Sequence, residues 1–151
     1  RSASQESGLY GEDGYQASRI DSFLDADLVF AREAQVYLLG IDKISEEGYQ
    51  RMSAAYEFYL SGIEATLSDN EYLAGNSLTI ADISFVCDFA QFLREGHYEE
   101  QLAGQGLSLI SEGGREEYPR AYEHMLELNA RPEFSEVMGS YLNWYRRKLE
   151  G

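Results

Sequence analysis

A chain of 151 residues with 44% hydrophobic content is long enough to bury one core and short for two, so a single domain is expected. Its 27 acidic side chains against 12 basic ones leave a formal charge of -15, a field that repels nucleic acid and anionic membrane surfaces. The one cysteine, Cys87, excludes an internal disulfide and fits a reducing, cytoplasmic setting. No apolar run reaches the roughly 18 residues of a membrane-spanning helix, and the opening RSASQESGLYGEDG is polar and Gly-rich rather than a signal peptide.

The first predicted element runs from about Asp13 to Leu39, where Ile20, Phe23, Leu24, Leu28, Ala31, Ala34 and Leu38 recur at steps of three and four, the stripe of an amphipathic helix. Gly40 to Lys43 forms a turn. A second helix follows from Ser45 to Leu67, with Met52, Tyr56, Tyr59, Leu60 and Ile63 as its stripe; Ser45 supplies the N-cap, and Glu46 and Glu47 suit the positive end of the helix dipole. A third helix is expected from Thr79 to about Arg94. The Gly-rich stretch from Gly104 to Gly114 reads as a loop with a helical turn at Leu107 to Ile110. Pro119 opens a fourth helix reaching about Ala130, and Pro132 opens a fifth through EFSEVMGSYLNWYRRKL, whose Arg146, Arg147 and Lys148 complement a helix C-terminus. No stretch alternates long enough to be a strand, so the class is all-α, a bundle of about five helices.

The start of the third helix, NSLTIADISF, is the most informative segment. With Thr79 as N-cap, Asp82 stands at N3, where the two can satisfy each other's backbone donors as a capping box; Leu78 at N′ and Ile83 at N4 are the pair a hydrophobic staple needs. The following SFVCDFAQF is apolar almost all round, which places this helix in the centre of the bundle and its cap in a buried setting.

YLAGNSLTIADISF resembles the motif that nucleates the central helix in the C-terminal domain of glutathione transferases. GLYGEDGYQASRIDSFLD is similar to the linker and first helix of that domain, and YPRAYEHMLELNARPEFSEVM to its later Tyr-Pro and Arg-Pro segment. The resemblance implies a linker over residues 1–11 and a helical domain over 12–151. The sequence contains no match to the family's thioredoxin-like domain: Pro119 and Pro132 both fall on helix starts, and Gln5-Glu6-Ser7 lacks the strand and cis-proline that would make it a glutathione-binding pair.

The resemblance also implies roles. An acidic residue on the first helix can contact the glutamyl ammonium of glutathione held by a partner subunit; Asp25 matches best and Asp21 second, the alternative being two solvated carboxylates. Leu28, Ala31 and Gln35, with Trp144 and its neighbours Tyr141 and Tyr145, would hold a hydrophobic small molecule, the alternative being interhelical packing. Glutathione would be the cosubstrate of an intact, detoxifying enzyme, not a ligand of this chain alone, and the chain would work with a thioredoxin-like domain, in a homodimer. With no thiol-activating residue here, no catalytic residue is assigned.

The remaining candidates read as structural. Cys87 lies in an apolar run and is expected to be a small buried hydrophobe. His97 and His124 have no partner at metal-ligand spacing and read as a loop and a helix-face residue, so no metal is expected. Arg19 and Asp21 are a possible ion pair, and Arg94, Glu95 and Glu99 a solvated helix end. GEDG and EGG lack the frame of a phosphate cradle. Two further readings stand beside the enzyme: a non-catalytic interaction module like the helical domains appended to translation elongation factor subunits and aminoacyl-tRNA synthetases, and a stand-alone bundle binding a hydrophobic ligand.

Overall fold

The computed structural model describes residues 9–132. Asp13 starts the first helix: its carboxylate accepts the Gln16 N–H at 2.8 Å, and α1 runs from Gly14 to Leu39. After a 3₁₀ turn at Ile41–Lys43, Ser45 accepts the Gly48 N–H at 2.9 Å and starts α2, Glu46–Asp69. The buried residues of α2 are Met52, Tyr56, Tyr59, Leu60 and Ile63, the stripe expected from the periodicity.

On α1 the stripe is rotated from expectation. Ile20, Asp27, Phe30, Ala34 and Tyr37 are buried, whereas Leu28 points out of the core and Ala31 is half-buried. An aspartate and two aromatic residues therefore occupy positions that a count of aliphatic residues passes over. The rings explain the choice: Phe30 stacks on Tyr59 with centroids 4.7 Å apart and meets Phe92 at 5.5 Å, tying α1 to both of its neighbours.

The third helix, α3, spans Ile80–Phe92 and packs chiefly against α1, with the later Pro119–Asn129 helix behind it. Its start is the expected capping box: the Thr79 N–H donates to Asp82 Oδ2 at 2.9 Å, and the Thr79 hydroxyl reaches the same oxygen at 3.3 Å. Both residues are fully buried, and the staple residues Leu78 and Ile83 pack against the core.

Beyond α3 the chain stays helical longer than expected. A 3₁₀ segment at Leu93–Tyr98 leads into a short α4, Glu99–Gly104, because the buried Leu93 and Leu102 anchor both pieces to the core. Residues 107–109 are irregular loop and not a helical turn; the short helix of this region is α5, Gly114–Glu117. Pro119 then stands in the first turn of α6, Pro119–Asn129. The free N–H groups of Arg120 and Ala121 donate to the Glu64 carboxylate of α2 at 3.1 and 2.9 Å, so the first turn of α6 is capped from another helix. The fifth expected helix, from Pro132, lies outside the described residues.

Every regular element among the described residues is helical, and the chain is all-α. No described helix is long and apolar enough to cross a membrane.

Candidate functional site

On α1, Asp25, Leu28 and Gln35 share one outward face with Ala31 at its edge, as their spacing requires. The structure adds Val29, Val36 and Leu39 to it. Leu28 is 50% exposed, Val29 61%, Val36 71% and Leu39 83%, so this domain leaves a run of large aliphatic side chains along one helix uncovered. Isolated exposed apolar residues need no explanation, but a contiguous row of them marks a contact or ligand surface. Asp21 and Asp25 are exposed at its N-terminal end. Around the helix, toward α2, an open groove of about 580 Å³ runs past Phe23 and Ala26 of α1 and Ala54, Phe58 and Gly62 of α2; Phe58 is 79% exposed. Trp144, Tyr141 and Tyr145 lie outside the described residues, as does Gln5-Glu6-Ser7.

Beneath this face lies an ionisable group that sequence reasoning missed. Asp27 is buried and accepts the Tyr59 hydroxyl at 2.8 Å. Burial, and then the hydrogen bond and charge of Asp88 on α3, push its carboxyl up to about 8, with Tyr59 pulling weakly the other way. Its carboxyl therefore holds a proton to higher pH than an ordinary aspartate does. The signal that could have found it is positional: Asp27 stands seven residues after Ile20 and three before Phe30, both buried.

Cys87 corrects an expectation. It is exposed, because the two inward faces of α3 are taken by Phe85, Val86, Phe89 and Ala90, and a helix apolar all round carries no sign of which side faces out. Partial burial of the sulfur first, then the charges of Asp88 and Asp27, raise the thiol, so it is a poor nucleophile at neutral pH.

His124 is likewise more than a helix-face residue. It is buried on α6, and its Nε2 lies 2.8 Å from Asp82 Oδ1, an oxygen that also accepts the Leu73 N–H at 3.0 Å. A carboxylate only accepts, so the ring donates from Nε2. Asp82 thus joins the loop before α3, the start of α3 and α6. Arg19 does not pair with Asp21; it donates to the Leu73 carbonyl at 3.1 Å and lies over the Tyr15 ring. Glu95 is not solvated but fully buried, since the returning loop covers it. His97 is exposed in the 3₁₀ segment.

No group of three or more His, Cys, Asp or Glu among the described residues is arranged to hold a metal ion. The assembled features are an apolar row edged by carboxylates and backed by a three-helix core. A protein-family model described as "Glutathione S-transferase, C-terminal domain" matches residues 20–132, most of the chain. No curated protein matches the sequence.

Proposed function

The chain belongs to the glutathione S-transferase C-terminal domain family, and from that premise we propose that it is the hydrophobic-substrate-binding helical domain of a glutathione transferase-like protein. The observation that carries this reading is the uncovered aliphatic row of Leu28, Val29, Val36 and Leu39, with Ala31 and Gln35 on the same side of α1. A small apolar electrophile would lie along it, and Asp25 at its edge would meet the ammonium of glutathione held by a partner subunit of a homodimer. The thiolate would be formed by a thioredoxin-like domain; α1 contributes orientation, which lowers the barrier by holding the reactants in line. The proposed compartment is the cytoplasm, where the exposed Cys87 stays a free thiol.

The test uses a neutral apolar dye such as Nile red and this chain by itself. Saturable binding that Leu28→Glu and Val36→Glu abolish, without loss of helicity, supports the reading. Unchanged binding in both variants moves the ligand off α1 and rejects it. Mixed with glutathione and an aromatic halide, the chain alone is expected to show no conjugation above the buffer rate.

A further inference from the structure

Arg32 stands in the middle of the uncovered row of α1. On a helix the neighbours of a side chain are the residues three and four positions away. For Arg32 these are Leu28, Val29, Gln35 and Val36, all exposed and none charged. Arg32 is itself exposed, and its guanidinium makes no ion pair and no hydrogen bond among the described residues.

That isolation stands out in a chain whose acidic side chains outnumber the basic ones 27 to 12. Arg51 pairs with Glu33 at 2.5 Å, Arg120 with Glu64 at 3.4 Å and Arg115 with Glu123 at 3.9 Å. Arg19 and Arg131 donate instead to the Leu73 carbonyl and the Tyr72 hydroxyl. Lys43 and Arg94 also lack an ion pair, but they stand on the 3₁₀ segments and not on this row. The carboxylate next to Arg32 in sequence, Glu33, is turned to α2 and taken by both nitrogens of the Arg51 fork. Asp25, on the same face as Arg32, lies two turns back, about 10 Å along the helix.

Resting on the reading of this face as a ligand surface, we infer that the molecule it holds is an amphipathic carboxylate, its head on the Arg32 guanidinium and its apolar body over Val36 and Leu39. The planar fork of an arginine matches a carboxylate with two parallel N–H donors, and a guanidinium gives up its water more readily than an ammonium does. An apolar body laid on the row shields the pair from solvent. A wholly uncharged ligand in the same place would cover the guanidinium and return no acceptor, so one side chain both attracts the anion and disfavours its neutral analogue. Asp21 and Asp25 at the N-terminal end turn an anionic head away from that side. From Arg32 to Leu39 the row runs about 10 Å, the length of a medium acyl chain.

The test is displacement of Nile red from this chain by octanoate and by octanamide, its uncharged isostere, at physiological ionic strength, where charges beyond about 8 Å are screened. Octanoate is expected to displace the dye at a concentration about fivefold lower, the upper range for an exposed ion pair. Arg32→Gln removes an exposed side chain without a partner, so it is expected to fold, to bind the dye as before and to lose the preference. A wild-type preference below about twofold, or one that survives in Arg32→Gln, overturns the inference and leaves Arg32 a hydrated surface charge. Failure of the underlying reading looks different: dye that does not bind, or that stays bound in Leu28→Glu and Val36→Glu, removes the ligand surface and the anion with it. Dye held on the row without a preference for the carboxylate removes the anion alone.

Discussion

Replacing Asp82 with alanine tests how much of this fold hangs on one carboxylate. In the folded chain Asp82 has no exposed surface. Oδ2 accepts the Thr79 N–H at 2.9 Å, and Oδ1 accepts the Leu73 N–H at 3.0 Å and His124 Nε2 at 2.8 Å. Asp82→Ala strands all three donors in a region where Leu73 and Thr79 are themselves fully buried and His124 is 8% exposed. Each stranded donor costs roughly 1–3 kcal/mol, and a water entering the vacated space recovers part of it, so the expected loss is about 3–5 kcal/mol. That is a large part of the roughly 5–15 kcal/mol by which domains are stable, and corresponds to a melting temperature lower by on the order of 10 °C. Thermal and urea unfolding followed by circular dichroism measure it, with the exposed Asp25→Ala as a control that stays within about 0.5 kcal/mol of wild type. Because His124 is stranded only once, His124→Ala added to Asp82→Ala should cost less than the two separate losses combined, with a coupling of about 1–3 kcal/mol. An Asp82→Ala protein within about 0.5 kcal/mol of wild type, or strict additivity with His124→Ala, refutes the reasoning.

Gly114→Ala should destabilise by about 1–3 kcal/mol, since a Cβ there would lie 2.2 Å from the Tyr122 hydroxyl and 2.4 Å from that of Tyr56, a buried pair only 2.8 Å apart; the urea midpoint checks it, and no shift means the rings give way freely. Asp27 keeps its proton in the folded chain up to about pH 8 but not in the unfolded one. Its contribution is therefore full below about pH 4 and is lost as pH rises toward 8, and Asp27→Asn should reduce the fall in stability measured over that interval. A fall of unchanged size in Asp27→Asn would show that Asp27 is ionised at neutral pH. Cys87 should react with Ellman's reagent in the folded chain without denaturant, yet more slowly at neutral pH than the unfolded chain's thiol, the gap closing as pH is raised; equal rates at neutral pH would contradict the raised thiol.

Helix starts were legible in the sequence because each is decided within one turn. Ser45 with Gly48, Thr79 with Asp82, and Pro119 in a first turn are neighbours three residues apart or closer, so chain connectivity alone brings them together. The α2 stripe was legible for the same reason, since its buried residues are aliphatic or aromatic at helical spacing. The candidate face of α1 was legible as a face, because Leu28, Ala31 and Gln35 must share a side of any helix. That the side is turned outward was not.

Only the tertiary structure decided which way the helices turn and which polar groups they enclose. His124 and Asp82 are 42 residues apart, Tyr59 and Asp27 are 32 apart, and Glu64 caps a helix more than 50 residues downstream; nothing local distinguishes these side chains from solvated ones. Cys87 and Phe85 stand two apart in the same apolar run, yet one is exposed and the other fully buried. Backbone spacing sets where a helix forms and which residues share a side, whereas the direction of that side is set by the packing of other helices against it, which depends on contacts between residues far apart in the chain.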